Sequence, residues 1–210
     1  MPRSPVGNDE GTMTVDTERL EKAIAGFDAF NNEDPNRETF EGEEHPKELL
    51  YARRMTGWRE KLAPDASDAL RLAVRCQHIG RWSIRRDEYP EGVKGYHQWR
   101  GALAEYHAQT AGGIMGEVGY DAGAISRVQQ LVRKQKLKTD PETQILEDVA
   151  CLVFLENYFA EFSRKHDDAK IIGILQKTWA KMSESGHGEA LKLKDKLPPD
   201  RRELIDKALS

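Results

Sequence analysis

Three side chains with acid–base or metal-binding chemistry fall where helical spacing assigns the core. His107 stands four after Leu103 and seven before Ile114, and Asp148 stands three after Ile145 and four before Leu152. Residues so spaced share one face of a helix. His78 follows Gln77 at the end of the apolar run Leu72-Ala73-Val74, and His45 directly precedes Pro46 at a helix start, a fixed position for an imidazole. A buried carboxylate costs several kcal/mol unless it gains a cation, hydrogen bonds or a metal. Imidazoles on facing helices are natural partners, and a mixed His and carboxylate set suits manganese, iron, zinc or nickel better than calcium. Two plainer readings stand beside this one. The core histidines can be hydrogen-bonded packing, and Asp148 can pair with Arg53, Arg54 or Arg75.

The surroundings are basic. Arg53 lies eight residues after His45, two helical turns on. Arg81, Arg85 and Arg86 follow His78, Lys94, His97 and Arg100 sit across a Pro/Gly loop, and Lys134, Lys136 and Lys138 precede the Asp148 helix. Guanidinium groups beside Trp82, Tyr96 and Trp99 suit a phosphate or carboxylate joined to a flat ring. The expected contacts to such a ligand are Arg53, Gln77, Arg81, Trp82, Lys94, His97 and Arg100.

The elements that must position these residues are helical throughout. Leu20, Ala23, Ile24, Phe27 and Phe30 form a stripe, with Thr14 or Asp16 as its cap, after a Pro/Gly/Ser-rich leader over residues 1–13 expected to be disordered;. Residues 31–46 read as a loop. A second helix carries Tyr51, Met55, Trp58 and Leu62 on one face, with Pro46 in its first turn. A third follows Pro64, capped by Asp65 or Ser67. Residues 83–95 read as a charged loop, and a long helix then places Trp99, Leu103, His107, Ile114 and Val118 together until Gly119. Asp121 can cap the next. Thr139-Asp140-Pro141-Glu142 announces the most apolar helix, running to Phe162. Asp167 or Asp168 opens another that Gly186 and Gly188 should stop, and a short one with Pro199 near its start closes the chain. No strand alternation appears. The expectation is an all-α fold of seven or eight helices: one domain over residues 14–185, with residues 186–210 a helical extension packed on it.

Composition narrows the classes. The 210 residues, 23.9 kDa, carry a net charge of -4, so no global basic field recruits nucleic acid;. No apolar run reaches the ~18 residues of a membrane span, and the N-terminus lacks a secretory signal's apolar region. A cytoplasmic protein is the default. Cys76 and Cys151 show no CxxC spacing and read as buried thiols. Self-association into a homodimer is left open.

The order of these features resembles the HD-domain superfamily of all-α, metal-dependent phosphohydrolases. LAVRCQHIGRW looks like that superfamily's helix ending in His-Asp and followed by Ile-Gly-Lys. EYHAQTAGGIMGEVGY is similar to its later helix that begins near a histidine, and QILEDVACLVFLE to the helix whose aspartate closes the metal site. The likeness covers roughly residues 45–160. Gln77-His78 stands where the superfamily has His-Asp, which removes the carboxylate that bridges two metals. The resemblance then implies one divalent transition metal on His45, His78 and Asp148, activating water against a phosphate ester or nucleotide. His107 or Glu147 would handle the proton, with Arg53, Arg81 and Arg100 offsetting phosphoryl charge. The whole chain also looks like a divergent family of this size without an assigned function. The other expectations are a catalytically inactive module binding a small anionic ligand, and a helical interaction partner using the Trp179 helix.

Overall fold

Capping side chains set many of the helix starts. Ser67, Asp121, Asp140, Asp167 and Ser183 each accept a first-turn backbone N–H, which opens a helix directly after each of them;. The structure, a computed structural model, describes residues 10–209, with side chains from residue 17 onward. In chain order these residues form α1 (Glu10–Asn32), β1 (Arg37–Phe40), β2 (Glu43–Pro46), α2 (Lys47–Leu62), α3 (Asp68–Cys76), α4 (Gly92–Glu117), α5 (Ala122–Val132), α6 (Pro141–Asn157), α7 (Phe159–Arg164), α8 (Asp168–Trp179), α9 (Glu184–Lys194) and α10 (Pro199–Leu209). Two 3₁₀ turns, Arg81–Ser83 and Arg86–Glu88, link α3 to α4. The fold is all-α.

Helix α2 packs on α3 and α6, and α5 on α3 and α4, so five helices converge on one core. Phe27, Met55, Leu72, Met115, Leu131, Leu146 and Leu152 are its fully buried anchors. The expected stripes are there: Leu20, Ala23 and Phe27 on α1 and Tyr51, Met55 and Trp58 on α2 are all buried. Cys76 and Cys151 are free and buried, and burial pushes both thiols up, Cys151 to about 12. None of the described helices is long and apolar enough to cross a membrane.

Several boundaries differ from the sequence reading. Helix α1 begins at Glu10, so Thr14 and Asp16 lie inside it and not at its start; residues 1–9 of the expected leader lie outside the described residues. The expected loop 31–46 contains an antiparallel hairpin, Arg37 opposite Pro46 and Phe40 opposite Glu43. Its strands are largely exposed, so no buried alternation marks them. Helix α4 starts at Gly92, inside the expected charged loop, and the Asp148 helix breaks at Tyr158, not at Phe162. Gly186 and Gly188 stop nothing; both lie within α9, and α8 has already ended at Trp179. With the break at Tyr158 and the separate α9, the described residues hold ten α-helices where seven or eight were expected.

Candidate functional site

The turn after α3 shapes the site. Gly80 takes φ +65°, and a Cβ there would stand 2.8 Å from both Phe30 and Tyr106. Only glycine meets both demands. Its N–H donates to Asn31 Oδ1 at 3.1 Å, tying the turn to the end of α1. His78 and Arg81 are thereby held between α2 and α4, and Gln77 against Val132 of α5.

Glu48, in the first turn of α2, faces them. Asp34 Oδ2 accepts the Glu48 backbone N–H at 3.0 Å, and the Glu48 carboxylate is buried. Its Oε2 lies 3.5 Å from His78 Nδ1 and its Oε1 3.9 Å from Arg81 Nε. Burial pushes the Glu48 carboxyl up to about 7, only partly opposed by the Arg81 charge;. The His78 ring stacks on Tyr51, centroids 4.1 Å apart, and stands 5.8 Å from the His107 ring. Burial holds His78 well below the usual imidazole range, and the charges of Arg81, Arg100 and Lys134 add to the effect.

His107 on α4 has a fixed tautomer. Its Nδ1 lies 2.6 Å from the Ile79 carbonyl, which can only accept, so Nδ1 carries the hydrogen and Nε2 presents a lone pair;. Burial lowers this imidazole to about 3. Among the described residues that buried Nε2 has no hydrogen-bond partner, nor have the buried Gln77 Oε1 and Arg81 Nη1. Gln77 uses its amide nitrogen on the Val132 carbonyl at 3.5 Å. The Arg81 guanidinium lies 4.9 Å from the centre of the Trp99 ring. The cluster reaches the surface, since the His78 and Arg81 side chains keep 17% and 24% of their area exposed.

Arg100, one residue beyond Trp99, bears electrostatically on His78, His107, Arg81, Tyr51 and Glu147. Glu147 on α6 is also buried, and burial alone would raise it. Lys134 at 2.5 Å, Lys181 at 3.7 Å and Arg100 outweigh that, and its carboxylate stays below the usual range. The site thus gathers Gln77, His78, Arg81, Arg100, His107 and Glu147 from the expected set. It adds Glu48, Tyr51 and Lys134, of which the sequence reading had placed only Lys134 in a basic cluster.

The other expected residues lie elsewhere. Asp148 turns away: its Oδ1 accepts the Ser183 N–H at 2.8 Å and Gln144 Nε2 at 3.1 Å, while Oδ2 accepts the Ser183 hydroxyl. His45 sits in the hairpin near Phe40 and shares an open groove of about 450 Å³ with Arg53, apart from Asp148. Among the described residues no group of three or more His, Cys, Asp and Glu side chains could hold a metal ion. His45, His78 and Asp148 therefore do not make the expected ligand set, because the carboxylate oxygens are already spent on α9. Among the described residues Asp148 pairs with no arginine: Arg53 lines the groove with His45, Arg54 bonds Glu38 and Arg75 bonds Asp28. Trp82 packs 5.9 Å from Phe30 and lines a separate groove of about 850 Å³ with Arg85 and Tyr89. Lys94 and His97 are exposed.

Glu48 had a readable signal. It continues the buried stripe Tyr51, Met55, Trp58 backwards by one turn, yet an acid in a helix's first turn also reads as a complement to the helix dipole. The remaining features of the cluster come from contacts distant in sequence.

Comparison with known protein families gives a match. The model of a family described as a domain of unknown function (DUF4202) covers residues 21–205. No curated protein and no solved structure matches the chain.

Proposed function

The chain belongs to the DUF4202 family, and we propose that it is a helical module that binds a small oxyanion between α2, the turn after α3, and α4. One observation carries this reading: Arg81 Nη1 is buried with no acceptor among the described residues. A guanidinium has five donors and no acceptor, and leaving a buried one unserved costs about 1–3 kcal/mol. Its nearest carboxylate, Glu48, stands 3.9 Å from Nε and is pushed toward protonation, so it compensates Arg81 poorly. Arg100 and Lys134 add positive charge, and Lys134 is the one of these that Glu147 offsets directly. An arriving oxyanion would find charge and an open donor together.

The resemblance to HD-domain proteins supports a ligand site at this place in an all-α fold. It does not supply a metal, because Asp148 is engaged elsewhere. A second reading, hydrolysis of a phosphate ester, is favoured by the buried Glu48 carboxyl 3.5 Å from His78, which burial pushes up to about 7, toward a range where it can give or take a proton;.

Thermal unfolding of the full chain with excess inorganic phosphate tests the binding reading. A ligand that binds only the native state raises apparent stability, by about 2.7 kcal/mol at one hundred times Kd. The wild type should shift upward, and Arg81→Met and Arg100→Met should lose the shift. An unmoved transition in phosphate, sulfate and acetate alike would end the proposal. Release of phosphate from an aryl phosphate, abolished in Glu48→Gln, would establish the second reading; no release would remove it.

A further inference from the structure

The oxyanion reading leaves two acceptors unexplained, and the following rests on that reading. His107 Nε2 and Gln77 Oε1 are both buried lone-pair atoms without a donor. His107 is 2% exposed and Gln77 4% exposed, so water on the outer surface does not serve them. The Ile79 carbonyl fixes the His107 tautomer, and the Val132 carbonyl takes the Gln77 amide nitrogen. Gln77 cannot turn its acceptor into a donor without breaking that bond, and His107 could do so only by taking a proton, which its burial opposes;. They neighbour the group that would hold the anion: the His107 ring stands 5.8 Å from the His78 ring, His78 and Arg81 both flank the Glu48 carboxyl, and Gln77 directly precedes His78.

A site that places lone pairs beside its cations distinguishes anions by whether they carry a hydrogen. Hydrogen phosphate and sulfate share shape and charge, but only the phosphate keeps an O–H at neutral pH. Its oxygens can accept from Arg81 while its hydroxyl donates to an acceptor. Sulfate would bring lone pairs against lone pairs. We infer that His107 and Gln77 are specificity-determining residues that select an oxyanion retaining a hydroxyl hydrogen, of the hydrogen phosphate class, over one fully deprotonated. A site built to hydrogen-bond a substrate hydroxyl rejects analogues that lack it.

Calorimetric titration of the full chain with inorganic phosphate and with sulfate, at matched ionic strength, measures the selection. Phosphate should bind at least about tenfold tighter, a difference of about 1.4 kcal/mol. Gln77→Met and His107→Leu should each bring phosphate affinity down toward that of sulfate and leave sulfate no weaker. Should the His107 variant fail to fold, Gln77→Met, which gives up only a 3.5 Å hydrogen bond, carries the comparison. Equal affinity for the two anions in the wild type, or a phosphate preference surviving in the folded variants, overturns the selection and leaves the oxyanion reading standing. Absence of binding by either anion overturns both.

Discussion

The Ser183 backbone N–H donates to Asp148 Oδ1 at 2.8 Å, and the Ser183 hydroxyl donates to Oδ2 at 2.5 Å while accepting the Gly186 N–H. The acid expected to hold a metal instead orders the start of α9 against α6. The hydroxyl bond links a buried carboxylate to a helix cap, so its loss strips both. Asp148→Ala should destabilise the chain by about 2–4 kcal/mol, with urea midpoints falling at constant slope. Phosphate binding per folded molecule should be unchanged. A midpoint within error of the wild type would remove the anchoring role.

Gly186 belongs to the same contact. A Cβ at this position would lie 2.8 Å from the Asp148 carboxyl and 3.2 Å from the end of Met182. Methionine can yield, but a carboxylate held by three hydrogen bonds cannot without losing some of them. Gly186→Ala would normally favour a helix by about 1 kcal/mol. Here it should destabilise by about 1–3 kcal/mol, the scale of overpacking a close contact. A stabilised Gly186→Ala protein would show that the helix preference wins and that α9 has room to move.

These two residues also mark the limit of reading the chain by itself. Local chemistry was legible: Ser67, Asp121, Asp140 and Asp167 cap as their types and positions predict. So was the polar tip of Gln77 and His78 beyond the apolar run of α3, and so was the inward facing of His107, because periodicity reports which side of a helix is buried. Periodicity does not report which neighbour arrives there. Asp148 is inward as expected, but its partner lies 35 residues later, and Gly186, which reads as part of a helix stop, instead leaves space for the Asp148 carboxyl. The hairpin escaped for a different reason, since its strands bury too little to leave a pattern.

Arg54 fastens that hairpin. Its Nη1 donates to Glu38 Oε1 at 2.5 Å and to the Tyr158 hydroxyl at 2.8 Å, and its guanidinium lies 5.0 Å from the Phe40 ring centre. One planar group thus joins β1, α2 and the break between α6 and α7. Arg54→Met should speed amide exchange across residues 37–46 while core amides change little. Arg54→Lys should restore only part of the protection, because an ammonium cannot reproduce the flat face and fork. Equal protection in wild type and Arg54→Met would show that the hairpin is held by its own ladder.

Three buried groups at the candidate site set a pH dependence with opposing signs. Glu48 is raised from 4.5 to about 7 by burial, against Arg81 and Lys47 and with Asp34 and Glu38 adding to the rise. The native state keeps a proton that the unfolded chain releases, so its contribution to stability falls as pH climbs from 4.5 to 7. His107, lowered to about 3, and His78, lowered in the same sense, act oppositely: the unfolded chain takes their protons first, and stability falls as pH drops below 6.5. Two imidazoles outweigh one carboxyl between 4.5 and 6.5, and Glu48 acts alone above that. Stability from this cluster should therefore peak near pH 6.5. Glu48→Gln should remove the loss on the alkaline side, leaving the variant more stable than wild type at about pH 8 by up to about 3 kcal/mol and no different at about pH 4. Urea unfolding across this range reads the difference directly. Parallel curves for the two proteins would mean that the Glu48 carboxyl titrates in the folded protein where a solvated one does, and that α2 does not bury it as described.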